Sequence, residues 1–414
     1  MRVDVEAAAA MSAGLDRIRQ EGSIPGPFPA AVLAACEVAT QRPLGAEHRD
    51  RTDRSFVTLD PASSVDLDQA FHIEQSGSDL ILHYAIADVG WFVHPGDALD
   101  VEAFDRAVTV YLPDQRATLY PTDLSEGAAS LLPNVDRTAV VFVVRVATDG
   151  ISRLDAVERS IVRSRAKLAY DSVTDADLPD GFVELHRRIA AAEQRRDAMR
   201  VEFPEQQIAR DGDGRYTLQF RPRNDAEERN AALSLATNLA VADALFAART
   251  GMFRVMPDVD GRRIGRLRHF AQAFGLDWPR DLGLEDYLRT LPPDDYRTSA
   301  FLLAVRRASG GASYEAYQDG KRPWHSAVAA TYAHATAPLR RLQDRYVVEA
   351  ALAVANGKPV PAEISAAFAT LPAAMARGEQ RANRAERKAL DLAADCRVVD
   401  ARDGAGICGI DGDR

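Results

Sequence analysis

Three aspartates within nine residues are the feature of this chain that most directly suggests chemistry. Asp60, Asp66 and Asp68 stand in the segment FVTLDPASSVDLDQAFHIE, residues 56–74. Carboxylate oxygens are the ligands that Mg²⁺ and Mn²⁺ prefer, and two such ions about 4 Å apart bind the attacking and leaving oxygens of a phosphodiester. The alternative is a solvated acidic turn with locally satisfied carboxylates. The spacing leaves both interpretations open.

Strand periodicity explains how these side chains would converge. The run SFVTL predicts a strand that ends at Asp60, PASSV a loop, and DLDQAFHI a second extended segment. Alternate residues of an extended segment project to the same side, so we expect Asp66 and Asp68 to share a face. Neighbouring carboxylates oppose each other's ionisation, and a bound cation would relieve that cost.

Motifs for several other kinds of catalysis are absent from the sequence. It contains no Walker loop, no GxSxG elbow and no HExxH helix. His72, His83 and His94 are spaced by eleven residues, which matches no ligand pattern, and we interpret them as structural.

Composition indicates a globular protein. The 414 residues are 46% hydrophobic and carry a net charge of -10, which argues against a general polyanion binder, so we expect no DNA binding. No apolar run approaches the roughly 20 residues of a membrane span, and the acidic N-terminus differs from a signal peptide. We therefore expect a cytoplasmic protein with no membrane partner. Its cysteines lack disulfide or zinc spacing and are interpreted as reduced thiols: Cys36, Cys396 and Cys408.

Hydrophobic patterning predicts an α+β fold with its strands concentrated early. A helical lead-in of about 50 residues has helices near Val5–Gln20 and Pro29–Thr40, and short alternating runs between Ser55 and Val146 predict a sheet. A hairpin is expected within Pro204–Phe220, and long helices follow from Ala226. Residues 396–414 predict two strands, either a packed tail or a truncated barrel. The predicted domain boundaries are 1–50, 51–390 and 391–414.

Four separated motifs resemble, in order and spacing, the catalytic domain of the ribonuclease II (RNB) family. They are TLDPASSVDLDQA, HYAIADVGWFVHPGDALDVEAFDRAVTVYLPD, YPTDLSEGAASLLP and YAHATAPLRRLQDR. The resemblance covers about Phe56–Gly357. It implies an RNB-type catalytic domain, a mixed β-sheet core packed by helices, followed here by incomplete OB-like strands. It also implies a 3′-to-5′ exoribonuclease that uses Mg²⁺, with Mn²⁺ as an alternative, to release nucleoside 5′-monophosphates from single-stranded RNA by two-metal hydrolysis.

The resemblance also implies the metal ligands. Asp60, Asp66 and Asp68 match the family's acidic cluster, and Asp68 is also expected to be catalytic. Gln69 stands where the family usually has a fourth aspartate, so it would offer a neutral oxygen and bind one metal more weakly. Asp88 matches a family residue that we interpret as structural.

RNA contacts follow from the same resemblance. Arg340 matches the arginine that reaches the scissile phosphate and is the second expected catalytic residue, because a forked guanidinium suits a phosphorane-like transition state. Arg341, beside it, is expected to bind RNA as well. Tyr111 matches the aromatic residue that stacks on the 3′-terminal base, a contact worth about 1 to 3 kcal/mol per base without reading sequence.

Two functional hypotheses remain open on the sequence. The first is an active, metal-dependent exoribonuclease acting on RNA 3′ ends with an altered metal site. The second is a catalytically weak or inactive homologue that serves as an RNA-binding or protein-interaction module, because Gln69 removes one charge from the cluster.

Overall fold

A computed structural model describes most of the chain. The described residues are 2–198, 205–210, 216–221, 224–292, 295–308 and 310–400. Their strands are β1 (Arg49–Asp50), β2 (Phe56–Asp60), β3 (Gln69–Ser76), β4 (Asp79–Ala87), β5 (Val110–Tyr111), β6 (Arg116–Ala117), β7 (Asp136–Val146), β8 (Ser152–Ala169), β9 (Glu205–Arg210), β10 (Tyr216–Arg221), β11 (Met252–Val255) and β12 (Ser313–Ala316).

Helices connect and cover these strands. They are α1 (Arg2–Glu21), α2 (Ala30–Thr40), α3 (Val89–Phe92), α4 (Ala98–Arg106), α5 (Phe182–Arg195), α6 (Asp225–Ala247), α7 (Gly261–Ala273), α8 (Leu284–Thr290), α9 (Tyr296–Ala308), α10 (Leu342–Ala355), α11 (Ala362–Ala367) and α12 (Leu371–Asp400), with a π-helical turn at Asp123–Ala128. The α+β class predicted from the sequence is confirmed.

The main sheet is mixed and closes on itself through β8. Its strand order is β1-β8-β2-β3-β4-β7, and β8 also pairs with β7. Residues 152–163 of β8 run antiparallel to β7, and residues 164–169 run parallel to β2. The sequence analysis ended the sheet near Val146 and missed this strand, because many charged residues interrupt its apolar alternation. Pairing with strands on both sides supplies the stability that local pattern does not indicate.

Two helices pack across the sheet and carry much of the core. α6 and α10 each bury ten residues. By length and apolar composition α6 is the one helix of the described chain that matches a membrane span, contrary to the expectation that no run approaches that length. Since 56% of its apolar window is buried inside the protein, its hydrophobicity is explained by core packing.

The helices at the two ends of the chain pack on each other. The predicted lead-in helices are observed as α1 and α2, and α1 joins α12 in a small apolar cluster that includes Met11, Leu15 and Ala389. Helix α12 runs through the predicted boundary at residue 390. The predicted strand at Cys396–Asp400 is wrong, because these residues continue that helix, and the rest of the predicted tail lies outside the described residues.

The remaining elements follow the sequence more closely. The predicted hairpin is β9 with β10, which pair antiparallel from Glu205↔Arg221 to Arg210↔Tyr216. Helices α7, α8 and α9 enclose a second apolar cluster around Trp278, separate from the main core. Cys36 is buried and free, in agreement with its interpretation as a reduced thiol.

Asp88 anchors a buried ionic network at the end of β4, so its removal should cost much stability. Its carboxylate accepts from Arg159 Nε at 2.8 Å, approaches His48 Nε2 at 3.3 Å and caps α3. Asp88→Ala leaves Arg159 with Glu349 as its remaining acidic partner and leaves the buried His48 Nε2 without its carboxylate, which costs roughly 3 to 5 kcal/mol. Equilibrium denaturant unfolding measures this loss. The control, Asp155→Ala, removes a partly exposed partner of Arg145 and should cost less than about 1 kcal/mol. Equal losses would contradict a structural role for Asp88.

Candidate active site

The three aspartates lie on one loop between adjacent strands. Asp60 is the last residue of β2, and Asp66 and Asp68 precede β3, which begins at Gln69. The expected second strand therefore starts later than the sequence indicated, and Asp66 and Asp68 occupy irregular backbone. Hydrogen bonds to Leu67 replace strand pairing: Ser130 Oγ accepts from its N–H at 2.9 Å, and its carbonyl accepts from the Leu131 N–H at 3.0 Å.

Asp68 is the most firmly held of the three. It is buried, and its Oδ1 accepts a hydrogen bond from the Leu339 backbone N–H at 2.8 Å. Its Oδ2 lies 3.4 Å from Arg340 Nε. The Asp68 carbonyl accepts from the Ala87 N–H at 2.9 Å, which fixes the loop to the end of β4. The fixed backbone and both side-chain contacts leave Asp68 little freedom.

Backbone pairing across a long sequence separation positions Arg340. The Thr109 N–H donates to the Arg340 carbonyl at 3.0 Å, and the Leu342 N–H donates to the Ala107 carbonyl at 2.9 Å. The Arg340 side chain remains 42% exposed, so its guanidinium is accessible to a ligand while it contacts Asp68. The structure thus brings together the two residues predicted to be catalytic.

Tyr111 lies on a short hairpin that continues from this pairing. It is 53% exposed and pairs with Arg116 across β5 and β6. Arg116 Nη1 donates to Asp66 Oδ1 at 2.8 Å, and its Nη2 lies 2.9 Å from Glu126 Oε1. The hairpin that carries the predicted base-stacking residue is therefore fastened to the aspartate loop by an arginine.

Burial changes the proton affinity of two of the aspartates. Desolvation raises the pKa of Asp60 to about 6 and that of Asp68 to about 7, although Arg340 lowers both. The negative charge of Asp66 raises both pKa values further, because the three carboxylates lie within electrostatic range of one another; the region that they border is called the shared space below. A cation bound there would favour the ionised forms.

Gln69 is engaged by protein groups on both sides of its amide. Its Nε2 donates to the Thr336 carbonyl at 2.7 Å. Its Oε1 accepts from the Tyr84 hydroxyl and lies 3.3 Å from Ser234 Oγ. An amide oxygen has two acceptor positions, and these hydroxyls use them. The contacts support a structural role for Gln69 rather than the metal ligation expected from the sequence.

Arg341 is paired with a carboxylate of its own, unlike its accessible neighbour Arg340. Its Nε and Nη2 donate to the Asp344 carboxylate at 2.9 and 2.6 Å, close to the buried ring of Tyr314. This bidentate pair fixes the start of α10. The contacts give Arg341 a structural role, and the predicted RNA contact has no support in them.

The donor chemistry of the cluster fits a divalent cation, but the present contacts do not form a ready metal site. Among the described residues, no group of three or more Asp, Glu, His or Cys side chains is arranged to hold a metal ion. Asp66 is paired with Arg116 and Asp68 with Arg340, so an ion bound by these oxygens requires a change of partners. Asp60, Asp66 and Asp68 are the side chains that would hold an ion, and Gln69, hydrogen-bonded at both ends of its amide, would add no oxygen.

Comparison with known proteins identifies the family. The family model of the RNB domain matches residues 48–355, which is more than half of the chain. The chain belongs to the RNB family. Ribonuclease R of Thermotoga maritima is 28% identical over 351 residues, covering 78% of this chain and 49% of the relative. Exoribonuclease 2 of Photorhabdus laumondii is 43% identical over 131 residues, covering 31% of this chain and 20% of the relative. The chain spans about half the length of the first of these relatives.

Solved structures share the fold of this RNB domain. Mycoplasma genitalium RNase R in complex with ribose methylated single-stranded RNA has a TM-score of 0.82 at 21% identity, covering 93% of this chain and 64% of that one. Yeast Ssd1, described as a pseudonuclease, has a TM-score of 0.68 at 18% identity, covering 84% of this chain and 46% of that one. At these identities the similarity establishes the fold alone.

The sequence analysis missed two charged members of this RNB site. Arg116 and Glu126 lie outside the aspartate segment, and neither belongs to a recognisable spacing. The available signal was the arginine directly after YLPDQ, close to Tyr111 in sequence. Only the pairing of β5 with β6 shows that this arginine reaches Asp66.

Neutralising Asp68 should stabilise the metal-free RNB domain at alkaline pH. The raised pKa means that the folded state binds this proton more tightly than the unfolded state, so stability falls as pH rises from about 4 to 7. Asp68→Asn keeps an acceptor for the Leu339 N–H and removes the buried charge. Thermal unfolding in chelator should show a higher midpoint for the variant at pH 8 and a smaller difference at pH 4.5. A lower midpoint at pH 8 would mean that Arg340 stabilises the carboxylate more than burial destabilises it.

Proposed function

We propose that this chain is a metal-dependent exoribonuclease that removes nucleotides from the 3′ end of single-stranded RNA and releases nucleoside 5′-monophosphates. One observation carries this proposal: Asp60, Asp66 and Asp68 face a shared space beside an accessible Arg340 and an exposed Tyr111. Acidic metal ligands, a phosphate-binding cation and a base-stacking ring are the three groups that terminal phosphodiester hydrolysis needs.

The three aspartates would hold the metal, with Mg²⁺ as the expected ion and Mn²⁺ as a substitute. The ion supplies Lewis-acid stabilisation of oxygens on the phosphodiester. The protein fixes the ligands: Asp68 is held by the Leu339 N–H, and Asp60 is held by its place at the end of β2. The two-metal scheme expected from the sequence requires a further ligand, and the contacts of Gln69 do not support one there.

Arg340 would bind the scissile phosphate. Its backbone is fixed by Thr109, and its guanidinium is accessible. Guanidinium N–H groups can donate to the phosphate while the Nε remains near Asp68, so the positive charge lies where negative charge develops in the transition state. A lysine would supply the charge without the fixed fork.

Tyr111 would stack on the terminal base. An exposed aromatic ring beside the cluster offers an apolar face to any base, which suits an enzyme that must accept every nucleotide. The net charge of -10 implies weak general attraction to RNA, so we expect binding to depend on such local contacts and to weaken steeply with salt. We also propose a cytoplasmic location, where RNA 3′ ends are available.

A second candidate function is RNA or protein binding without turnover. Two observations favour it: the fold is shared with yeast Ssd1, described as a pseudonuclease, and Gln69 brings no charge to the cluster. The presence of all three aspartates together with Arg340 favours the active enzyme, because a protein without catalytic activity would not need to keep each of these residues.

An end-labelled RNA assay distinguishes the two functions. A 5′-labelled single-stranded RNA incubated with Mg²⁺ or Mn²⁺ should give a ladder shortened from the 3′ end, and chelator should abolish it. Asp68→Asn should lower the rate at least about a hundredfold while RNA binding survives, because the lost charge acts on the transition state. Internal cleavage that ignores the 3′ end would exclude an exonuclease, and binding without turnover at any metal concentration would establish the second function.

Removal of the Tyr111 ring should change where degradation stops. Tyr111→Ala removes about 1 to 3 kcal/mol of stacking from the terminal base, so short RNAs should dissociate earlier. The final undegraded oligonucleotide should therefore lengthen, while cleavage of long RNA continues. Gel analysis of end products measures this, with Tyr296→Ala as the control because that exposed tyrosine lies in α9. An unchanged end product would show that Tyr111 only packs.

A further inference from the structure

Arg116 bridges two carboxylates at the edge of the aspartate cluster. Its Nη1 lies 2.8 Å from Asp66 Oδ1, and its Nη2 lies 2.9 Å from Glu126 Oε1. The side chain of Asp66 is 12% exposed and that of Arg116 is 30% exposed, so water screens this pair only partly. The guanidinium therefore neutralises Asp66 within the site.

The backbone on either side of this bridge is fixed. Arg116 pairs with Tyr111 across the hairpin, and the Leu112 N–H donates to the Gln115 carbonyl at 3.0 Å to close the turn. Glu126 belongs to the π-helical turn that packs against α2. Because the backbone that carries Arg116 and the backbone that carries Glu126 are both fixed, the positive charge of Arg116 stays beside Asp66.

The charges around the shared space leave room for one divalent ion. Asp60, Asp66, Asp68 and Glu126 contribute four negative charges when ionised, and Arg116 and Arg340 contribute two positive ones. Lys167, whose Nζ donates to the Ala62 and Ser64 carbonyls between Asp60 and Asp66, adds a third positive charge farther out. One or two negative charges therefore remain. One divalent ion balances them, whereas two ions would leave an excess of positive charge in a partly buried site.

The neutral Gln69 also supports a site for one divalent ion. Its amide is bonded to Tyr84 and Thr336, so it offers no oxygen to a second ion. Ligands for a second ion would have to come from Asp66 Oδ1 and Glu126 Oε1, and Arg116 occupies both of these oxygens.

We infer that Arg116 is a fixed cation that takes the place of a second metal ion at Asp66, so that the site binds a single divalent ion. This inference rests on the proposed metal-dependent activity. Arg116 acts as a positioning residue: it contacts Asp66 Oδ1 and holds the Tyr111 hairpin to the aspartate loop, and it leaves Asp60, Asp66 Oδ2 and Asp68 to the single ion.

Counting bound Mn²⁺ tests the inference directly. Electron paramagnetic resonance of free Mn²⁺, with isothermal titration calorimetry, should give one ion for the wild type. Arg116→Ala frees two carboxylates and should allow a second ion, while the cleavage rate of RNA falls at least about tenfold. Arg116→Lys keeps the charge and should remain at one ion. Thermal unfolding of each variant verifies that it is folded.

A matched control separates the site from a general charge effect. Arg145 also bridges two carboxylates, Asp79 at 3.5 Å and Asp155 at 2.7 Å, and its side chain is similarly exposed. Arg145→Ala should leave both the ion count and the cleavage rate unchanged. Should Arg116→Ala prove unfolded, Arg116→Gln provides the second test: it keeps a hydrogen-bond donor and removes the positive charge, so a second ion should bind, and a count of one would overturn the inference.

The outcomes for Arg116 and for the activity are distinguishable. Two ions bound to the wild type, or one ion bound to Arg116→Ala, would overturn the inference whatever the cleavage rate. Absence of RNA cleavage by a wild type that binds one Mn²⁺ would overturn the proposed activity and leave the count intact. A wild type that binds no ion would overturn both.

Discussion

The burial of several carboxylates in one small space is the constraint on which the rest of this site depends. Desolvation raises the proton affinity of Asp60 and Asp68, and each like charge nearby raises it further. Positively charged side chains close to the carboxylates compensate this cost. Arg340 lies beside Asp68, and Arg116 is paired with Asp66. A cluster with this compensation can stay folded without a metal and still retain negative charge for one.

Each compensating group is supplied by a different part of the chain. The aspartate loop lies between β2 and β3, the Tyr111 hairpin follows α4, and Arg340 precedes α10. Backbone hydrogen bonds between Thr109 and Arg340, and between Leu339 and Asp68, join these segments directly. Because each of these hydrogen bonds is donated by a backbone N–H group, its position depends on the fold more than on the side chain of the donor residue.

The contacts that surround the shared space explain why residues adjacent in the chain have different roles. Arg340 is accessible, whereas Arg341 forms a bidentate pair with Asp344. Asp68 faces the cluster, whereas Gln69 faces Tyr84 in the core. In both cases adjacent residues project in opposite directions, so chemical type alone does not assign them to the site.

The family match leaves both ends of the described chain outside it. The RNB match covers residues 48–355, and Ribonuclease R of Thermotoga maritima is about twice as long as the segment shared with it. Helices α1, α2, α11 and α12 lie outside the match, and of these α1 and α12 pack on each other and on the RNB domain. Arg381 on α12 donates to the carbonyls of Asp105 and Arg106, which ties this helix to the end of α4 near the Tyr111 hairpin. The terminal helices thus support the site from outside.

The sequence by itself determined the family and the α+β class, and it indicated the residues proposed for the site. Asp60, Asp66, Asp68, Arg340 and Tyr111 are recognisable because they stand in four motifs of fixed order. Local pattern also indicated the first helices and the β9–β10 hairpin, since amphipathic spacing and turn residues act over a few positions. These features depend on neighbours in the chain.

Only the tertiary structure determined which strands pair and which side chains contact one another. The long strand β8 was missed because its stability comes from pairing on both sides, and the helical end of α12 was mistaken for a strand because a β-branched run fits either structure. The pairing of Arg116 with Asp66, and the engagement of Gln69 by Tyr84, join residues that are 50 and 15 positions apart. Charge compensation acts through space, so its members became visible only when the folded chain had brought them together.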